Sequence, residues 1–101
     1  MTGKSQLQIE AAVFRKLLAH LDAHKEVQNI ELMNLADFCR NCLATWYVSA
    51  ATEQGLEISY EDARAHIYGM PYSEWKSLYQ TPATPEQLAM MEAKAAKKRG
   101  H

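Results

Sequence analysis

Two pairs of side chains carry the spacing of metal ligands. His20 and His24 stand four residues apart, and Cys39 and Cys42 stand three apart within Cys39-Arg40-Asn41-Cys42. Structural zinc takes four nitrogen or sulfur ligands in a tetrahedron, and a histidine pair on one helix with a cysteine pair on the next supplies two and two. Distance along the chain opposes this zinc reading. If the link 25–29 folds two helices antiparallel, Cys39 lies about ten residues past the turn, roughly 15 Å along the axis, whereas the histidines sit within a turn of that corner. A thiol on an apolar helical face behaves as a small hydrophobe, so no cofactor is expected, and zinc bound by Cys39, Cys42, His20 and His24 stands as the alternative.

Dithiol redox chemistry asks for a cysteine pair at a helix N-terminus, where dipole and exposed amides stabilise a thiolate. The sequence places this pair in mid-helix, with about ten helical residues before it, and pairs Arg40 with Asp37 at i−3. A polar strip of Asn34, Asp37, Arg40 and Asn41 sketches a carboxylate flanked by amides, the outline of a small enzyme or ligand-binding module. No phosphate loop, paired-carboxylate motif or Ser-His-Asp arrangement completes it, so the reading leans away from an enzyme. Tyr68, Tyr72, Trp75 and Tyr79, spaced 4, 3 and 4, are residue types that dominate binding hot spots and mark a candidate interaction surface. The competing assignment is a lid over the core, because Gly69 and Pro71 break the helix that would align them.

The elements that must position these groups all read as helices. A first helix is expected over 5–24, opened by Ser5 and Gln8 as a capping box, with Leu7, Ala11, Phe14, Leu18 and Leu21 on one face. A second, longer one is expected over 30–54, stopped by Gly55, with Leu32, Leu35, Cys39, Cys42, Leu43, Trp46 and Ala50 sharing the apolar face. Ser59 with Asp62 caps a short helix ending at Tyr68, and 72–79 forms another. Thr84, Pro85 and Gln87 then start a helix over 86–99, which Gly100 ends. No alternating β-branched runs joined by a hairpin signal occur. The expected fold is all-α, a small bundle of two long and two to three short helices.

The 101 residues suffice for one core, and thus one domain. The longest uncharged stretch, which takes in 42–52, falls far short of the roughly 20 apolar residues of a membrane span, and the first residues lack a signal-peptide run. A cytoplasmic protein with reduced thiols and no membrane partner is expected. Residues 1–93 hold 7 Lys and Arg against 12 Asp and Glu, a balance of −5, while the last eight hold Lys94, Lys97, Lys98 and Arg99, a balance of +4. A basic tail from about residue 94 complements a helix C-terminus, and the acidic body repels phosphates. No nucleic-acid binding is expected.

Two strings, Val27-Gln28-Asn29-Ile30-Glu31-Leu32-Met33-Asn34-Leu35-Ala36-Asp37-Phe38-Cys39-Arg40-Asn41-Cys42-Leu43 and Tyr68-Gly69-Met70-Pro71-Tyr72-Ser73-Glu74-Trp75-Lys76, resemble the domain-of-unknown-function family numbered 1244. The resemblance spans roughly residues 20 to 90 and implies a small, helical, stand-alone bacterial protein, with no catalytic residue to carry over. Independently of it, a second helix apolar over most of its circumference needs more cover than short neighbours supply. Function is therefore expected through protein–protein contact, foremost as a homodimer with a second copy of the chain, and with a protein partner whose identity the sequence leaves open.

Overall fold

The computed structural model describes residues 3–99. Among them are six α-helices and no strand: α1 (Gly3–Asp22), α2 (Asn29–Ala36), α3 (Arg40–Glu53), α4 (Tyr60–Tyr68), α5 (Tyr72–Tyr79) and α6 (Pro85–Arg99). None is long and apolar enough to cross a membrane. The fold is all-α, as the periodicity predicts.

Local chemistry sets most boundaries. The Ser59 hydroxyl accepts from the Asp62 amide at 3.0 Å and opens α4, while Gly69 closes it in the left-handed region at φ 76°. At the end of α3 the amides of Gly55 and Leu56 reach back to the carbonyls of Thr52 and Ala51. This is the Schellman pattern, and it requires a positive φ at Gly55, observed at 78°. Thr84 and Gln87 exchange hydrogen bonds of 2.9 and 3.1 Å across the first turn of α6. The first helix starts earlier than its capping signal implies: α1 begins at Gly3, so Ser5 lies inside the first turn. The stop expected at Gly100 lies outside the described residues.

The main correction concerns the long second helix, which is two helices. Asp37 adopts φ 60°, ψ 28° and ends α2, and Cys39 at φ −148° is the extended residue that opens α3. Left-handed geometry at a residue other than glycine is uncommon, and Asp is among the types that tolerate it. Lys94 of α6 holds the break in place. Its ammonium donates to the carbonyls of Met33 and Asn34 at 2.8 and 2.9 Å and pairs with the Asp37 carboxylate at 2.6 Å. The Asn34 carbonyl, which the helix end would leave without a partner, is thereby satisfied, the Met33 carbonyl gains a second donor beside the Asp37 amide, and a cation sits at the negative pole of α2.

The break also resets the helical phase. The buried face of α3 runs through Arg40, Leu43, Ala44 and Ala51, whereas Leu35 is 83% exposed and Trp46 also faces solvent. Ala44 and Ala63 are fully buried, small side chains that let α3 and α4 approach closely. Around this pair gather Leu21, Leu43, Ile67, Tyr68 and Trp75, covered by Phe14, Leu17 and Leu18 of α1 and Tyr79 of α5. Helix α6 packs chiefly against α2.

Candidate functional site

The corner between α2 and α3 gathers the side chains that could do chemistry. Arg40, the first residue of α3, is 2% exposed. Its guanidinium turns back across the end of α1, donating to the carbonyls of Val27 at 2.8 Å, His24 at 3.1 Å and Leu21 at 3.5 Å, and to the Asn29 Oδ1 at 3.1 Å. It lies over the Trp75 ring, 4.9 Å from its centroid. Planar, forked donors suit such a cluster of carbonyls, and the charge complements the C-terminal pole of α1. Burial pulls the Arg40 pKa below its ordinary value, and the group remains a cation.

Asn29 carries the network onward. Its amide donates to the Tyr68 hydroxyl at 3.0 Å, and that hydroxyl donates to Asn41 Oδ1 at 2.8 Å. Gln28, buried beside it, donates to the Tyr79 carbonyl at 3.0 Å and accepts from the Thr81 amide at 2.9 Å, which fixes the linker between α5 and α6. A cavity of about 320 Å³ opens here, lined by Gln28, Asn29, Asn41, Tyr72 and Gln80 among others. Its walls offer amides and a phenol with no carboxylate, so they can bind a polar group but offer no general base in the carboxylate range.

The cysteines sit on the α2 side of the same corner. Both are free thiols, with their sulfur atoms 3.9 Å apart and the Met33 thioether 3.9 Å from Cys42 Sγ. The mid-helix placement expected for Cys39-Arg40-Asn41-Cys42 is corrected, because the motif occupies the N-cap and first turn of α3. Burial nevertheless pushes the Cys39 thiol up, against the direction that thiolate chemistry requires.

The residue types singled out in the sequence are thus distributed over several places. The Asp37–Arg40 pair does not form: Asp37 meets Lys94, and Arg40 meets carbonyls. The polar strip divides, with Asn34 and Asp37 lining a cavity of about 120 Å³ against Met91 and Lys94 of α6, and Asn41 lining the larger one. Lys94 is accordingly docked on α2 rather than part of a free tail. His20 and His24 meet with tilted rings, centroids 4.7 Å apart, near the end of α1. Among the described residues no group of three or more His, Cys, Asp and Glu side chains is placed to hold a metal ion, so the two-histidine, two-cysteine zinc set is not assembled. Tyr68 and Trp75 are buried and meet edge to face at 4.9 Å, while Tyr72 and Tyr79 are half-buried around them.

A family model described as "Protein of unknown function (DUF1244)" matches residues 27–93, about two thirds of the chain. The chain belongs to this family. No curated protein matches it. The DUF1244 match begins at Val27, whose carbonyl Arg40 holds, and takes in Asn29, Met33, both cysteines, Tyr68, Trp75 and Lys94's partner Asp37.

Sequence reasoning passed over Gln28, Asn29, Met33 and the capping role of Lys94. Gln28 and Glu31 did carry a signal, since their spacing of three is that of a capping box, and the Glu31 carboxylate accepts from the Gln28 amide at 2.8 Å.

The buried phenol of Tyr68 yields a pH prediction for this DUF1244 chain. Burial raises its pKa well above the ordinary 10.0. A raised folded-state pKa leaves the contribution intact below about pH 10 and removes it as pH climbs above that value, because only the unfolded chain ionises readily there. Thermal melts at pH 8 and pH 11 should therefore show a larger fall for the native sequence than for Tyr68→Phe. Equal falls would mean that Tyr68 does not titrate differently in the two states.

Proposed function

We propose that the protein acts through protein–protein contact as a homodimer in a bacterial cytoplasm. The observation that carries this reading is the apolar surface left uncovered. Leu7 at 67% and Val13 at 63% exposure project from α1, and Leu35, Leu88, Met90 and Met91 are exposed along α2 and α6. Leu35 and Met90 line one groove of about 320 Å³ between those two helices. Isolated exposed apolar residues are ordinary, whereas contiguous ones mark contact surfaces. A second copy, related by a two-fold axis, would cover the apolar groove between α2 and α6 on both chains at once. Free thiols at Cys39 and Cys42 suit a reducing compartment.

Size-exclusion chromatography with light scattering at micromolar concentration tests the proposal. With a chain mass of 11.5 kDa, a dimer has twice that mass, and Leu35→Glu should return it to the single-chain value without loss of helical signal. An 11.5 kDa species for the native sequence would overturn the reading.

A further inference from the structure

We propose that Cys39, Cys42 and Met33 form a binding site for one soft monovalent metal ion, Cu(I). The three sulfur atoms come from two helices that the break at Asp37 folds together: Met33 from the last turn of α2, Cys39 and Cys42 from the opening of α3. Cys42 Sγ stands 3.9 Å from each of the other two. A metal bonded to sulfur at about 2.3 Å separates its ligand sulfurs by roughly 3.8 Å in a tetrahedron and roughly 4.0 Å in a trigonal plane. Both separations from Cys42 fall in that interval, and an ion held by all three sulfurs would bring Cys39 and Met33 to the same spacing from each other.

The donor set selects the ion. Two thiols and a thioether are soft ligands, which favour Cu(I), while hard cations need oxygen and structural zinc takes four thiolate, imidazole or carboxylate ligands. No carboxylate or imidazole joins this group among the described residues, and a thioether is not a usual zinc ligand.

Charge supports the same choice. Binding converts two thiols to thiolates and releases two protons to solvent, so a Cu(I) ion with two thiolates and a neutral thioether carries one net negative charge. Arg40, between the two cysteines in sequence, is a buried cation whose hydrogen-bond partners are carbonyls and an amide, with no carboxylate partner among the described residues. The positive pole of α3 starts at the same point. Both are of the sign that favours an anionic centre at the opening of α3.

The full-length protein, kept anaerobic, is titrated with Cu(I) against a colorimetric Cu(I) chelator, and metal retained per chain is read. One equivalent is expected, with only sulfur neighbours in X-ray absorption. Cys39→Ser and Cys42→Ser should each abolish retention. Met33→Leu, close in volume and shape, should weaken it about tenfold while the circular dichroism spectrum stays unchanged, which separates ligation from folding. His20→Ala with His24→Ala should leave retention intact. The proposal is overturned by no retention in the native sequence, by retention indifferent to the cysteines or to Met33, by loss on changing the histidines, or by tighter retention of Zn(II) in a parallel titration.

Discussion

Arg40→Ala should lower the free energy of unfolding by about 3–5 kcal/mol, a loss in the range reserved for broken buried polar networks. Truncation at this position removes donors from the carbonyls of Val27, His24 and Leu21 and from Asn29 Oδ1 together. The Val27 carbonyl is left without a donor, at about 1–3 kcal/mol, and the other three acceptors each keep one backbone amide but lose a charged donor, though water entering the space recovers part of the total. The ring contact with Trp75 goes as well. Arg40→Lys should recover less than half of the loss, because an ammonium is a point donor that cannot span acceptors on three segments at once. Arg40→Met separates charge from hydrogen bonding. It keeps the length and removes the desolvation of a cation, yet the Val27 carbonyl loses its donor and the carbonyls of Leu21 and His24 keep only a backbone amide each, so it should also fall below the native sequence. Chemical denaturation at neutral pH measures all three. An Arg40→Met variant as stable as the native chain would show that the guanidinium's hydrogen bonds contribute nothing net.

The contrast between what could be read from the sequence and what could not follows the range of the interactions. Ser59, Gly69, Gly55, Thr84 and Gln87 act within a turn of themselves, and their signals held because capping chemistry is local. The break at Asp37 is different. No glycine or proline marks it, and the surrounding 30–54 pattern is continuously helical in propensity. What stabilises it is Lys94, 57 positions later, a contact that exists only after α6 has docked on α2. The error then propagated to the site. A continuous helix keeps Cys39-Arg40-Asn41-Cys42 away from any helix start, turns Arg40 toward Asp37 on the surface, and places Leu35 and Trp46 in the core. The break reverses the first two and, by shifting the phase of the residues after it, turns Trp46 outward, while Leu35, ahead of the break, lies exposed at the groove between α2 and α6. For the same reason Met33 carried no signal: a methionine in an apolar stripe reads as packing until the next helix brings two thiols beside it.

Trp75→Ala should be the other strongly destabilising change, at about 3–5 kcal/mol for the loss of a large buried aromatic ring. Trp75 is 2% exposed, and its ring is held by Tyr68 at 4.9 Å, Tyr79 at 5.8 Å and the Arg40 guanidinium. With only 5–15 kcal/mol available to a typical domain, a loss of this size removes a large share of the fold's stability, and a lower denaturant midpoint with unchanged slope would report it. Trp75→Phe keeps the edge-to-face contact with Tyr68 and should cost less than half as much. Because Trp75 and Arg40 touch, their effects should not add. With the indole replaced by a smaller ring, the guanidinium loses part of one wall of its site and the stronger cation–π partner, so Arg40→Met should cost less in the Trp75→Phe background than alone, by about 0.5–2 kcal/mol. A double-mutant cycle on denaturation midpoints gives this number directly. Strict additivity would mean that the ring and the cation are neighbours without coupling, and that Arg40 is held by its carbonyls alone.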